Sequence, residues 1–162
     1  MFLDSPEWRA GEKSMRPGMS HPAVSAARAL VGAPFRPHGR DPETGLDCLG
    51  LVIHVAAALG VRACVPAYSL NGDQRALEAG LIAHGLAVLP AAAALPGDVL
   101  LLAVDAERRH LAIRTPGGAI HAHARLGRVV EHRLPPAWAD ALIAAYRFPE
   151  QISTCPGIAP GA

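Results

Sequence analysis

Three strand-length segments, HLAIR (110–114), AIHAHA (119–124) and RVVEHR (128–133), follow one another closely in the second half of the chain, the first two joined by the turn TPGG. Just before them, LPGDVLLLAV reads as a turn running into a further strand. Most helical patterns lie in front of this block. That order predicts an α+β fold, with N-terminal helices and one of them packed on a C-terminal antiparallel sheet. The 16 glycines and 15 prolines among 162 residues argue for short elements joined by many turns.

A first helix is expected from His21-Pro22 through AVSAARALVG, proline being tolerated in an opening turn. The stretch from Gly32 to Gly45 is punctuated by glycine and proline and reads as a structured loop. Asp47 caps the next helix, which runs to about Leu59, stops before Gly60 and turns Leu51, Val52, Val55 and Leu59 to the core. Another helix is expected from Asp73 to His84, and PPAWADALIAAYRF (135–148) reads as a closing helix. Three regions result: a polar arm over 1–19, one domain over 20–150 and a flexible tail over 151–162.

Lys and Arg number 15 against 14 Asp and Glu, so there is no electrostatic case for a nucleic-acid partner. The start of the chain lacks the basic and apolar stretches of a secretory signal, and the apolar segments are too short and interrupted to span a bilayer. A chain synthesised in the cytoplasm, with no membrane insertion, is expected. Cys48, Cys64 and Cys155 are an odd, sparse set without CxxC spacing, which suggests neither a disulfide scaffold nor a cysteine-rich zinc site.

Cys48 falls in the first turn of the helix in GLDCLGLVIHVAAALG. There the free backbone N–H groups and the helix dipole favour a thiolate, which predicts a lowered thiol pKa. The Cys48 N–H is also placed to meet an oxyanion, and Gly50 leaves room for an extended substrate. A cysteine nucleophile needs a base that becomes a cation beside it, a role suited to histidine. His21, His54, His84 and His132 sit in ordinary core or surface contexts. His110 and the pair His121 and His123 differ, because period two puts them on one face of a hairpin presented to the cysteine helix, with Leu111, Ile113, Ile120 and Ala122 turned away. The HxH spacing also fits zinc, a rival that leaves the helix start at Cys48 unused.

Two registers are open for this hairpin. A tight turn at Gly117-Gly118 pairs Ile113 with Ala122 and puts His123 diagonal to His110. A four-residue connection from Thr115 to Gly118 pairs Ala112 with His121 and makes His121 the diagonal neighbour. Pro116 cannot donate a ladder hydrogen bond, so the longer connection is expected.

Three segments together resemble the NlpC-type peptidoglycan endopeptidases, a papain-like family of cysteine peptidases. GAPFRPHGRDPETGLDCLGLV is similar to the family's nucleophile motif, LPGDVLLL to its turn entering the sheet, and HLAI and AIHAH to its two histidine strands. The resemblance implies Cys48 as nucleophile, His110 as base and His121 as the residue orienting it, with His123 as the alternative third member. It implies stem peptides of peptidoglycan as substrate, no cofactor and no metal. Phe35, Arg36, His38, Arg40, Asp47 and Gly50 become candidate substrate-site residues. Phe35 stands where the family often has tyrosine, so a hydroxyl there is missing or is supplied by His38. GRDPETGLDCLGLV and RVVEHRLPPAWADALIAAYRFPE resemble more narrowly the versions carried by tailed phages and gene transfer agents. That likeness implies tail-tip proteins as partners and action in the target periplasm. A non-catalytic tail protein, or an amidase or acyltransferase on the same scaffold, remains open at this point.

Overall fold

The structure is a computed structural model that describes residues 20–61, 74–106 and 108–150. The expected arm and tail, with Cys64 and Cys155, lie outside the described residues.

Helix α1, Pro22–Arg28, opens on the His21 side chain, whose Nδ1 accepts the Ala23 N–H. It is shorter than expected and continues as turns. The loop after it contains a small hairpin not anticipated from its composition, β1 (Arg40–Asp41) with β2 (Gly45–Leu46). Helix α2, Cys48–Ala58, has the bounds its cap and stop residues predict: Asp47 Oδ1 accepts the Gly50 N–H at 2.7 Å, and Leu59 ends it. Its first half is buried nearly all round, from Cys48 to Val52, and Val55 and Ala56 continue that burial. Such a helix belongs inside a core. Leu51 and Val55 are fully buried; each side chain of this size contributes roughly 1.5–3 kcal/mol. Helix α3 is Gln74–Ala83.

A six-stranded antiparallel sheet follows among the described residues, built from β3 (Ala87–Leu89), β4 (Val99–Ala103), β5 (Arg109–Thr115), β6 (Gly118–His123), β7 (Arg128–His132) and β8 (Leu142–Arg147). Its order is β3-β8-β4-β5-β6-β7. One face, with Val99, Leu101, Leu111, Ile113, Ile120 and Tyr146, packs on α2 and its neighbours. The other, with Leu100, Leu102, Ala112, Ala119 and Ala145, packs against Leu134 and Trp138.

Two expectations are corrected here. The closing helix extends only over α4, Pro136–Ala141, and the chain then becomes strand β8. LIAAY favours a helix by propensity, but β8 lies between β3 and β4 and its Ala145 and Tyr146 are buried in that slot. The β5–β6 hairpin pairs Ile113 with Ile120, Arg114 with Ala119 and Thr115 with Gly118. That is the register of the longer connection, yet Thr115 and Gly118 are inside the ladder and only Pro116-Gly117 turn. Pro116 sits in the turn, where its missing N–H costs nothing.

Asp98, in the LPGD turn, is buried, accepts the Leu95 N–H and takes both arms of Arg147 at 2.9 and 2.8 Å, fastening β4 to β8. Among the described residues no helix is long and apolar enough to cross a membrane.

Candidate active site

The β1–β2 loop and the start of α2 are locked together by backbone proximity. A Cβ on Gly50 would run into the Gly39 carbonyl oxygen, and one on Gly39 into that of Gly45. The space left by Gly50 is therefore filled by the preceding loop and not by substrate, which corrects the reading of Gly50 as a substrate-site residue. Arg40 bonds Asp47 Oδ1 at 2.6 Å and the Gly39 carbonyl at 2.8 Å, and its own carbonyl accepts the His54 ring at 2.7 Å. Its guanidinium thus holds the helix cap.

Where this loop meets the start of β5 and the end of β6, a cavity of about 490 Å³ opens. Cys48, Asp47, Phe35 and His38 line one side, and His110, His121, His123 and Trp138 another. His38, exposed at its mouth, has a left-handed backbone at φ 56°, a conformation that costs a non-glycine residue energy and clusters at functional sites. Arg36 and Arg40 are not part of the wall; the arginines that are, Arg108, Arg109 and Arg125, were not singled out from the sequence. Arg108 precedes β5, Arg109 opens it and Arg125 follows β6, so the hairpin assignment together with the positions of its ends was the signal that could have found them.

Cys48 is 4% exposed. Burial first and Asp47 second push its thiol up to about 12, against the lowering influence of the Leu111 and Leu49 backbone N–H groups and of Arg40. The expectation of a lowered thiol pKa is thereby corrected. Desolvation of the charged form outweighs the helix N-terminus at a site this dry.

His110 Nε2 lies 2.8 Å from His121 Nδ1, and His121 Nε2 lies 2.7 Å from His132 Nε2. His132 Nδ1 donates to the Arg133 carbonyl at 2.6 Å. His123 instead accepts the Leu126 N–H. Trp138 stands edge-on to all three chained rings, with centroids 6.0, 4.9 and 5.3 Å away. Burial, then the neighbouring rings, lowers His110 to about 4 and His121 to about 3; for His110 only Asp47 pulls the other way. Both rings are neutral at pH 7.

The histidines occupy the Trp138 side of the sheet, while α2 packs on the side of Leu111 and Ile113. The sequence expectation of one histidine face presented to the cysteine helix is corrected accordingly. Cys48 and His110 share the walls of the cavity at the start of β5, and the sulfur takes the Leu111 N–H, one residue from His110. The zinc rival of His110, His121 and His123 fits poorly: two ligands of one tetrahedral zinc would sit about 3.3 Å apart, given Zn–N bonds near 2.0 Å, whereas His110 Nε2 and His121 Nδ1 are 2.8 Å apart and His123 Nδ1 takes the Leu126 N–H. Among the described residues no group of histidine, cysteine or acidic side chains is arranged to hold a metal ion. His132 is the member the sequence reading passed over. β7 pairs Val130 with His121, so His132 is diagonal to His121 on the same face, a relation visible only once the register is known.

No family model and no curated protein matches the sequence. Solved structures do. The NlpC/p60 domain of the peptidoglycan hydrolase SagA aligns with a TM-score of 0.52 at 24% identity, over 76% of this chain and 94% of that domain. The chain has the NlpC/p60 fold. A lipoprotein-like member of the NLP/P60 family from Staphylococcus aureus subsp. aureus Mu50 aligns with a TM-score of 0.57 at 20% identity, over 88% of this chain and 47% of that one. NlpC/p60 architecture is papain-like, with N-terminal helices against a large antiparallel sheet, and this chain shares it.

Proposed function

We propose that this NlpC/p60-fold chain is a cysteine peptidase that hydrolyses peptide bonds in peptidoglycan stem peptides. The observation that carries the reading is a single cavity walled by a cysteine at a helix N-terminus and by a hydrogen-bonded histidine pair, in a fold shared with a peptidoglycan hydrolase. Cys48 is the nucleophile, His110 the general base, and His121 the group that fixes the His110 ring.

The pKa values decide how the nucleophile is made. Burial raises the Cys48 thiol and lowers His110, so both shifts favour the neutral pair over a standing thiolate–imidazolium pair. Cys48 therefore rests as a thiol and loses its proton to His110 as sulfur attacks the substrate carbonyl. The Cys48 N–H, without an intrahelical acceptor by its position, faces the developing oxyanion. His110 then passes the proton to the leaving amine, and water activated by His110 hydrolyses the thioester.

The sequence likeness to phage and gene-transfer-agent proteins extends the proposal: the chain acts as a tail-tip component opening the wall of a target cell. Arg108, Arg109 and Arg125 on the cavity wall suit a substrate bearing carboxylates. A second reading, a non-catalytic protein that keeps the fold, is favoured by one observation, the deeply buried thiol with Phe35 beside it. Digestion of purified peptidoglycan, with products identified by mass, separates the two. New amino termini within stem peptides support the peptidase; intact stems released from glycan indicate an amidase; an unchanged sacculus supports the non-catalytic protein. Detection of the chain in purified tail particles tests the assembly role.

A further inference from the structure

The chain of rings has a direction, and its far end dictates it. A carbonyl oxygen only accepts, so the 2.6 Å contact to Arg133 puts a proton on His132 Nδ1. With the ring neutral, His132 Nε2 must accept, so His121 donates from Nε2 and accepts at Nδ1. His110 then donates from Nε2. Its one lone pair is left on Nδ1, the ring nitrogen not bonded to His121.

We propose that His132 is the proton-accepting end of a three-histidine relay that both fixes the His110 tautomer and takes the positive charge created when Cys48 is deprotonated. The inference rests on the Cys48–His110 reading above. When the Cys48 S–H bond breaks, the proton goes to His110 Nδ1. The Nε2 proton of His110 moves to His121 Nδ1, and the Nε2 proton of His121 moves to His132 Nε2. Three N–H bonds form, two N–H bonds and the S–H bond break, and the sulfur's negative charge is balanced by one imidazolium at position 132. His110 and His121 end neutral with their protons transposed. The charge leaves the buried His121 ring and comes to rest on a half-buried ring that already donates to a carbonyl.

The groups around His132 agree with this role. On β6, His121 touches it, and His123 contacts the His121 ring. His110 on β5 lies beyond, and Trp138 of α4 covers the rings without adding charge. Next to it in sequence, Glu131 is held by Arg28 through two-armed contacts, and Arg133 contributes its carbonyl. Asp47, at the cavity, is the carboxylate that acts on His110. A proton held on His132 Nε2 reverses the chain, leaving His110 with an N–H at Nδ1 and no base for Cys48.

The test is imidazole ¹⁵N NMR of the full chain together with iodoacetamide alkylation of Cys48, read peptide by peptide so that Cys64 and Cys155 are counted apart. In the neutral wild type the single ring protons of His110 and His121 should sit on Nε2 and that of His132 on Nδ1. A His110 proton on Nδ1 or a His132 proton on Nε2 overturns the relay. His132→Gln can still donate to the carbonyl and accept from His121 but cannot take a proton. It should keep the His110 tautomer and a folded spectrum, and slow Cys48 alkylation at pH 7 by about tenfold or more. Wild-type rates in that variant refute the proposal. If H132Q does not fold, the wild-type tautomers decide alone. Alkylation needs no peptidoglycan, so a relay seen in a chain that cleaves no stem peptide sinks the peptidase reading and leaves this one standing.

Discussion

Replacing Asp47 separates what holds the nucleophile helix from what merely charges it. Asp47→Ala removes the acceptor of the Gly50 N–H at 2.7 Å and the partner of Arg40 at 2.6 Å. Loss of an N-cap costs about 1 kcal/mol, up to about 2, and Gly50 is buried, so its N–H has no water to turn to. The Arg40 side chain is 35% exposed and keeps the Gly39 carbonyl, so its pair adds at most about 1 kcal/mol after solvent screening. One effect has the opposite sign: Asp47 Oδ2 is buried without a hydrogen-bond partner, and removing it relieves a penalty. The net expectation is a loss of about 2 kcal/mol. Asp47→Asn keeps the cap oxygen and presents an amide where the unpartnered oxygen was, so it should lose under about 1 kcal/mol. Urea unfolding followed by far-UV circular dichroism, with unchanged m-values, measures both. Equal losses in the two variants would mean that the charge and not the cap secures α2, and a D47A loss below about 0.5 kcal/mol would refute the whole assignment.

Gly50→Ala should destabilise by about 1–3 kcal/mol, since its Cβ meets the Gly39 backbone. Gly80→Ala, with open space around it in α3, should stabilise by up to about 1 kcal/mol; urea midpoints that reverse this order count against the loop–helix lock. His110 and His121 have folded pKa values of about 4 and about 3, below the ordinary 6.5, so the unfolded chain binds more protons between these limits. Stability from these rings is full above pH 6.5 and is lost as pH falls toward 3, by a few kcal/mol (on the order of 2 per ring by pH 5). Urea midpoints between pH 7 and 5 should drop in the wild type and drop less in His121→Asn; a flat wild-type profile contradicts the buried neutral rings.

What could be read from the sequence followed the range of the physics involved. The bounds of α2 were legible because Asp47 and Gly60 are local start and stop signals. The order of β4 to β7 was legible because their turns are short and their alternation clear. Strand β8 was not, since its alanines and leucines prefer a helix and only pairing with β3 and β4 overrules them. His132 was passed over because its partner is defined by register across the β6–β7 hairpin. Gly50 was misread because the atom that needs its space belongs to Gly39, eleven positions earlier and brought back by a small hairpin. The thiol's direction of shift was misread for a similar reason. A helix N-terminus is visible in sequence, whereas the burial that outweighs it at Cys48 depends on the whole core.

The most direct test of the central claim is quenched-flow intact-mass analysis during peptidoglycan digestion, run with wild type and Cys48→Ala in parallel. The wild type should shorten stem peptides and transiently carry a stem-peptide fragment as a thioester on Cys48, while the folded C48A protein does neither. Cleavage by C48A at the wild-type rate, or wild-type turnover with the acyl group mapped to a residue other than Cys48, would contradict the account.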